Sequence, residues 1–521
     1  MRRFAEGCSQ GDMNSGSGSV ATAARTLFNT VYSFDSRSER ARGTHPERPL
    51  VAQIAQIFKP QVTRFPRIGA CVALFAGSAL FGQQVQFQGS VPTGPASPTP
   101  IALTLEGAIG RGLRNNLGLL LSGQASEIAR AERLRSLSAL LPQVTGEVSE
   151  NAEQIDLKTR GIDFHLPGFS TPTIVSPFDY TDARAYASFS VFDYSVRKNH
   201  GAAREGERAA QLSFKDARDL VVQSVANAYL LVIAGSSRVQ ALRAEVATDQ
   251  AIYGRTADQK RAGTAAAIDV LRARVELQQE QQQLIVQENQ VAKDKLALGR
   301  VIGLPSGQQF TIADTQPYSP LATMTPEQAL RTAYEQRADF QSARASVRAA
   351  EDSVSAARAE RYPNVGVAAD YGAVGTTLNN SHGTFTFQVA ARFNIFDGGR
   401  ISGDVIQASA VLKQRRDELG DLGGQIDYQV RAALLDIQSA ADQVAVARSN
   451  LELANQTLTQ AEDRFASGVT DNIEVVQAQG SVAVANDSLI SALYAHNLSK
   501  VELVRAMGSS EERIQKFMEV K

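Results

Sequence analysis

The residue types that most often perform enzymatic chemistry are few and scattered in this chain. Both cysteines, Cys8 and Cys71, lie near the N-terminus, so the rest of the 521-residue sequence has no thiol. The five histidines show no metal-ligand spacing: His45, His165, His200, His382 and His496. The sequence contains no nucleophile–base pair, zinc motif or phosphate-binding loop. We therefore predict no enzyme activity, no metal site and no cofactor.

Two acidic residues occupy equivalent positions in a repeated segment. Ile268-Asp269-Val270 recurs 205 residues later as Ile473-Glu474-Val475, and Gly263 recurs as Gly468. A fixed offset of this kind indicates a tandem duplication. Asp471 and Glu474 fit a capping box at the start of a helix, so a purely structural role is one interpretation of these acids.

Long stretches without proline predict very long helices. No proline lies between Pro177 and Pro305, and none follows Pro363. Because proline costs a helix interior about 3 kcal/mol, each half can hold helices of about 37, 65 and 39 residues. The long ones are predicted at 198–262 and 403–467. We expect the two shorter helices of each half to stack end to end beside the long one.

The last helix of each half is predicted at 265–303 and 470–508, and it carries a heptad row. In the first half the row is Val270, Leu277, Leu284, Val291 and Leu298, and in the second half His496 is its one polar member. Seven-residue spacing is typical of a coiled-coil seam.

A two-residue period replaces the helical one after Pro142 and after Pro363. It is clearest at Phe385–Ile395, where every second residue is apolar or small. We predict two strands in each half, of about 9–11 residues, the length of a tilted membrane-spanning strand. Tyrosine and phenylalanine would anchor them at the bilayer interface: Tyr186, Phe192, Tyr194, Tyr362 and Tyr371.

Four strands cannot lie in a bilayer alone, because their open edges would leave backbone groups unpaired. Two copies would give eight strands and a filled interior, whereas three give twelve and a lumen. The predicted fold class is therefore a mixed α and β membrane protein with an internal duplication. Each protomer supplies four transmembrane β-strands to a trimeric barrel, which continues into a long α-helical coiled-coil barrel.

The N-terminal region has the pattern of an export signal. An apolar run at 68–82 follows Lys59, Arg64 and Arg67, as in a signal peptide. Lipid attachment is not expected, because Cys71 opens the apolar run instead of closing it. The predicted segments are an extension (1–67) that is disordered or a miscalled start, the signal (68–82), a linker (83–100), the first repeat (101–303), an inter-repeat linker (304–323), the second repeat (324–508) and a tail (509–521).

Composition agrees with an ordered protein that does not bind nucleic acid. Hydrophobic residues make up 43% of the chain and charged residues 21%, with a net charge of -1. An alternative to the membrane barrel is a structural or adhesive coiled-coil rod at the cell surface. The rod explains the helices and heptads but gives no role to the alternating strands.

The chain resembles the TolC-like outer-membrane efflux family over about residues 101–508. The matching segments are Leu105–Ile109, Phe396–Arg400 and the two tip patterns, Gly263 to Leu271 and Gly468 to Val476. The resemblance implies a homotrimeric outer-membrane duct with a periplasmic helical barrel. It also implies docking to a periplasmic adaptor and an inner-membrane pump, for efflux or type I secretion of drugs, metals or proteins.

The resemblance also implies that acidic side chains at the helical tip ring the pore. Glu474 matches one such acid, and the companion acid one turn later falls on Gln477, so one ring of charge is missing. Asp269 is the first-half counterpart of Glu474. We assign Glu474, Asp269, Asp471 and Gln477 to the pore constriction. The tip glycines, Gly263 and Gly468, are assigned to adaptor docking, although they also fit simple helix turns.

Overall fold

The computed structural model describes residues 87, 89–162, 165–166, 168–170, 172–314, 318–320, 324–467, 469–470, 472–508, 510–511 and 513–514. The predicted N-terminal extension, the signal peptide and the last seven residues of the tail lie outside these described residues.

The first repeat contains short helices, a pair of long strands and two long helices. In chain order its elements are β1 (Ile101–Leu103), α1 (Leu105–Asn115), α2 (Leu117–Ser138), β2 (Gln143–Asp156), β3 (His165–Leu166), β4 (Phe169–Ser170), β5 (Ile174–Phe192), α3 (Tyr194–Arg261) and α4 (Ala267–Val301). Helix α3 has 68 residues and is therefore about 100 Å long.

The second repeat has the same order of helices and long strands. Its elements are α5 (Pro326–Gln336), α6 (Ala338–Ala359), β7 (Asn364–Gly375), β8 (Ser381–Arg392), α7 (Arg400–Ala466) and α8 (Asn472–Met507), and β6 (Phe310–Ile312) precedes them. The predicted duplication is confirmed. The four long strands have 12 to 19 residues, more than predicted, and the long helices begin three or four residues earlier than expected.

The first helix of each repeat is broken, so the prediction of one continuous helix of about 37 residues was wrong. The breaks fall at Asn116 and Arg337, where ψ is 126° and 120°. The Asn116 side chain accepts the N–H of Gly118 at 3.0 Å and caps the second helix. Arg337 is 3% exposed and forms an ion pair with Asp339 at 2.6 Å. At the first break the side chain satisfies a backbone N–H group, and at the second it pairs a buried charge. Both local interactions stabilise a residue with non-helical backbone angles.

A glycine at the end of each return helix packs against the break. Gly303 and Gly508 have φ of +72° and +78°, a conformation that glycine adopts at little steric cost. A Cβ on Gly508 would lie 2.9 Å from the backbone nitrogen of Arg337, and one on Gly303 would overlap Asn115. In each repeat, the end of the return helix thus meets the two helix ends at the break, and this junction occurs twice in the chain.

Helix α3 carries the main core in its middle. Val221, Val222 and Val225 are fully buried. The helix is long and apolar enough to cross a membrane by composition, but these residues pack inside the protein. Toward its tip end α3 runs along α4, and toward its strand end along α2, where Arg133 forms an ion pair with Glu207. The prediction that the shorter helices stack beside the long one is confirmed.

A small parallel strand pair joins the start of the first repeat to the inter-repeat linker, a feature that the sequence did not predict. Strand β1 pairs with β6 in the register Leu103↔Ile312. Buried Tyr229 closes the arrangement, because its hydroxyl lies 2.7 Å from Asp314 Oδ2. The described part of linker 83–100 is also fixed to the helices, since Val91 donates its N–H to Asn115 O at 2.8 Å.

The glycine junction generates a stability prediction. Gly508→Ala forces a β-carbon into a left-handed residue that contacts Arg337, and should lower the free energy of unfolding by about 1–3 kcal/mol. Gly254→Ala is the control, because Gly254 lies within α3 with open space around it, and this change should be neutral or stabilise by about 0.5–1 kcal/mol. Thermal unfolding of the detergent-solubilised protein by circular dichroism compares the two. Equal midpoints would contradict the assigned role of Gly508.

Candidate functional site

One face of the four-stranded sheet is apolar across all its strands. The strands are antiparallel in the order β2-β5-β7-β8. Val144 pairs with Ala187, Ala187 with Ala369, and Ala369 with Phe387, so these side chains share a face. The same face carries Val148, Ala183, Ala185, Phe189, Val367, Tyr371, Phe385 and Val389. Its large members are exposed in a single chain, with Phe385 at 77% and Val148 at 78%.

The opposite face of the sheet is polar. Arg184 lies at its centre, forms ion pairs with Asp182 and Asp370 and donates to Thr384 Oγ1 at 2.9 Å. Tyr186 pairs with Asp370 in the register and therefore lies on this polar face. This position does not favour the predicted role of Tyr186 as an anchor at the bilayer interface, because such an anchor contacts lipid.

Tight turns connect the sheet to the long helices. Asp397 accepts the backbone N–H groups of Ile401 at 2.9 Å and Gly399 at 3.0 Å. These hydrogen bonds lower the pKa of the Asp397 carboxyl. In the first repeat Asp193 accepts the N–H of Val196 at 3.0 Å. Asp397 and Asp193 thus cap the two long helices, and both caps fix where a strand becomes a helix.

The tip of each helical hairpin turns in the same way. Gly263 has φ of +78°, and the N–H of Thr264 donates to Gln259 O at 2.9 Å. The second hairpin repeats this bond 205 residues later, from Val469 N to Arg464 O at 3.0 Å. Such six-to-one bonds define the Schellman motif that ends many helices. The positive φ at this turn therefore accounts for a glycine at position 263 without a docking role.

Asp269 caps the return helix of the first hairpin. Its carboxylate accepts the N–H of Ala266 at 3.3 Å and pairs with Arg272, one turn further along, at 3.5 Å. A carboxylate in the first turn stabilises a helix by satisfying a free N–H and complementing the helix dipole. These contacts give Asp269 the kind of capping role that the sequence analysis considered for Asp471 and Glu474.

Glu474 has a different partner from its counterpart Asp269. It pairs with Arg464 of the preceding helix at 3.6 Å, so the ion pair joins the two arms of the second hairpin. Gln477, which occupies the position of Arg272, is exposed and uncharged. Sequence reasoning missed Arg464. The sequence contained one indication of this ion pair. At the repeat offset of 205 residues, Arg464 corresponds to Gln259, so the second repeat has a charge where the first has none.

Both hairpin tips also carry exposed apolar side chains close in sequence to these acids. Ile268 is 51% exposed and Leu271 57%, and Val469 in the second hairpin is 70% exposed. Clustered exposed apolar groups mark surfaces that bind partners. Gly468 and Asp471, which the sequence assigned to docking and to the constriction, lie outside the described residues.

The arrangement of a two-faced sheet above long duplicated hairpins matches a known family. The family model described as "Outer membrane efflux protein" matches residues 109–304 and 329–509, which cover most of both repeats. The chain belongs to the outer membrane efflux protein family. Membership places this protein in the outer membrane, assigns it to efflux and disfavours the surface rod.

Individual relatives are distant but match along most of their length. The toluene efflux pump outer membrane protein TtgF of Pseudomonas putida is 24% identical over 78% of this chain and 83% of its own. The cation efflux system protein CusC of Escherichia coli O6:H1 is 23% identical over 77% of this chain and 85% of its own. The crystal structure of the outer membrane protein VceC from Vibrio cholerae has a TM-score of 0.66 at 18% identity, over 78% of this chain and 96% of VceC.

The capping role of Asp269 in this efflux protein can be tested separately from its ion pair with Arg272. Asp269→Ala removes the capping carboxylate and should destabilise the first turn of α4 by about 0.5–2 kcal/mol. Hydrogen exchange of the tip peptide, followed by mass spectrometry, should then be faster at 266–272 than in the wild type. Arg272→Gln is the matched control, because it breaks the ion pair and leaves the cap in place. Equal acceleration by both variants would contradict the capping role.

Proposed function

We propose that three copies of this chain form a passive exit duct, with a twelve-stranded barrel in the outer membrane and a helical barrel in the periplasm. One observation carries the proposal: β2 and β8 lie at the two ends of the sheet, while one face of that sheet is apolar and exposed. In lipid, the backbone groups of both edges require partners. Strand β8 of one copy pairing with β2 of the next supplies them.

Three is the number of copies that fits a duct. Eight strands from two copies enclose an interior that side chains fill, whereas twelve strands leave space for a channel. In such a barrel the apolar face contacts lipid and the face bearing Arg184 lines the bore. The long helices α3 and α7 would extend that bore by about 100 Å into the periplasm.

The helical tip is the proposed constriction and docking end. Glu474 and Asp269 are the acids that would narrow and charge the opening, with uncharged Gln477 one turn further. Exposed Ile268, Leu271 and Val469 provide an apolar rim for a periplasmic adaptor. Energy would come from an inner-membrane pump, because a duct needs no chemistry of its own and the chain is proposed to have no enzyme activity.

The cargo of this duct is proposed to be small molecules or ions. The names of its relatives refer to toluene for TtgF and to cations for CusC, two cargoes with no shared chemistry. A wide polar bore that does not bind its cargo tightly accommodates both. Specificity then belongs to the pump and adaptor that load the duct.

A pair of adjacent substitutions tests which face of the sheet contacts lipid. Phe387→Lys places a charge on the apolar face near the middle of β8 and should cost about 2–4 kcal/mol in the membrane. Gln388→Lys is the matched control on the polar face and should be tolerated. The measurement is the yield of heat-resistant trimer in outer-membrane fractions. Loss of trimer in both variants, or in neither, would contradict the assigned orientation.

Glu474→Gln tests the constriction. An ion that passes within about 4 Å of a carboxylate in water gains about 1 kcal/mol, so the cation-to-anion permeability ratio should fall by up to about fivefold. Single-channel recording of purified protein in planar bilayers measures this ratio. Gln477→Glu should raise it by restoring a second charged ring, and Glu452→Gln, an exposed acid on α7, should leave it unchanged. An unaltered ratio in both tip variants would restrict Glu474 to its ion pair with Arg464.

A further inference from the structure

A groove lies between α3, α4 and α8, at a distance from the tip acids, and Leu458 of α7 also lines it. It consists of two adjoining cavities of about 710 and 220 Å³. The two cavities share the lining residues Ala241, Glu245, Glu280, Gly480 and Ala483. Small side chains keep the groove wide, and a Cβ on Gly480 would have no heavy atom within 4 Å.

Four carboxylates face each other across this groove. Glu245 and Asp249 lie one turn apart on α3, and Glu276 and Glu280 lie one turn apart on α4. Like charges at this spacing destabilise a helix, and here two such pairs are brought together. Asp487 on α8 lines the larger cavity.

Neighbouring cations do not neutralise these four acids. Arg238 donates to Asp487 at 2.7 Å, and Arg243 pairs with Glu288 at 2.6 Å. Both arginines are thus engaged by other carboxylates. The four acids on the walls of the groove carry charge that the nearby arginines leave uncompensated.

Asp249 and Glu280 are the least compensated members. Asp249 is only 8% exposed, and within the part of the chain that the structure describes no hydrogen bond or ion pair involves its carboxylate. One carboxylate oxygen of Glu280 is buried without a partner. The other oxygen accepts only the amide of Gln283 at 3.0 Å. A buried charge without a partner is costly, so both side chains point to a cationic ligand.

The protonation behaviour of the cluster agrees with this geometry. Burial, together with Glu276 and Glu280, raises the pKa of Asp249 to about 6. Burial and the neighbouring acids also raise the pKa of Glu245 and of Glu280. The ionised cluster is therefore under electrostatic strain that a bound cation would relieve.

The shape of the groove favours an extended cation over a single metal ion. Among the described residues, no group of three His, Cys, Asp or Glu side chains is placed to hold a metal ion. The carboxylates are instead distributed along two walls, at intervals of about 5.4 Å per helical turn. Apolar side chains line the larger cavity together with Glu245 and Glu280: Leu242, Val286, Val484 and Ile490.

We propose that this groove binds a linear organic oligoamine, whose ammonium groups pair with Glu245, Asp249, Glu276 and Glu280. The methylene segments of such a ligand contact the apolar wall, and its separated charges match the separated carboxylates. This site is independent of the proposed duct, because it lies within one chain and its occupancy does not require conduction.

Isothermal titration of the full-length protein in detergent with spermidine, at low salt and neutral pH, tests the proposal. Saturable binding is expected for the wild type, with at least about tenfold weaker affinity in Asp249→Asn and in Glu280→Gln. Glu452→Gln removes the same charge from an exposed position on α7 and should leave the affinity unchanged. Gly480→Leu removes space from the groove at constant charge and should also weaken binding.

Three results would overturn the proposal. The first is the absence of saturable binding to wild-type protein that unfolds at its normal temperature. The second is an equal loss of affinity in Glu452→Gln, which would indicate general attraction to an acidic surface. The third is displacement of spermidine by magnesium when both supply the same concentration of positive charge. That result would indicate that the groove binds inorganic cations and does not select an oligoamine. Because Asp249→Asn relieves repulsion, this variant should fold and unfold at a temperature at least as high as the wild type.

Discussion

Backbone hydrogen bonding at the sheet edges is the constraint on which the architecture depends. A chain that exposes an apolar sheet face can enter lipid only if every strand edge has a partner. Strands β2 and β8 are the two edges here. Within the described part of one chain they do not pair with each other, so the outer backbone groups of both strands lack partners. In the proposed trimer, the requirement for neighbouring copies therefore comes from the backbone. The side chains then decide which face contacts lipid and which faces water.

The very long helices must also be held in a fixed direction relative to the sheet, and both repeats do this with a similar junction. Each return helix ends in a left-handed glycine, Gly303 or Gly508, that packs against the broken helix at Asn115 or Arg337. The two junctions use different chemistry, since Asn116 caps with an amide and Arg337 pairs with Asp339. The position of the break is thus common to both repeats, although the interactions that stabilise it differ.

Much of this fold could be predicted from sequence because its signals are local. Absence of proline over more than one hundred residues, the alternation at Phe385–Ile395 and the repeated tip glycine each specify one element. The helix breaks could not be predicted, because neither Asn116 nor Arg337 is a strong helix breaker and the glycine that packs against each break lies far away in the sequence. The Arg464–Glu474 pair and the carboxylate groove likewise require knowledge of which helices are neighbours.

The two hairpins of one chain differ in mechanical resistance at their tips. In the second, Arg464 and Glu474 connect the descending and ascending arms, whereas in the first the charge pair lies within a single helix. Spreading the arms of the second hairpin must break an ion pair worth about 0–1 kcal/mol at an exposed site. The first hairpin can open without that loss. An evenly applied outward force therefore moves the first hairpin further. The six hairpins of the proposed trimer would then respond with threefold and not sixfold symmetry.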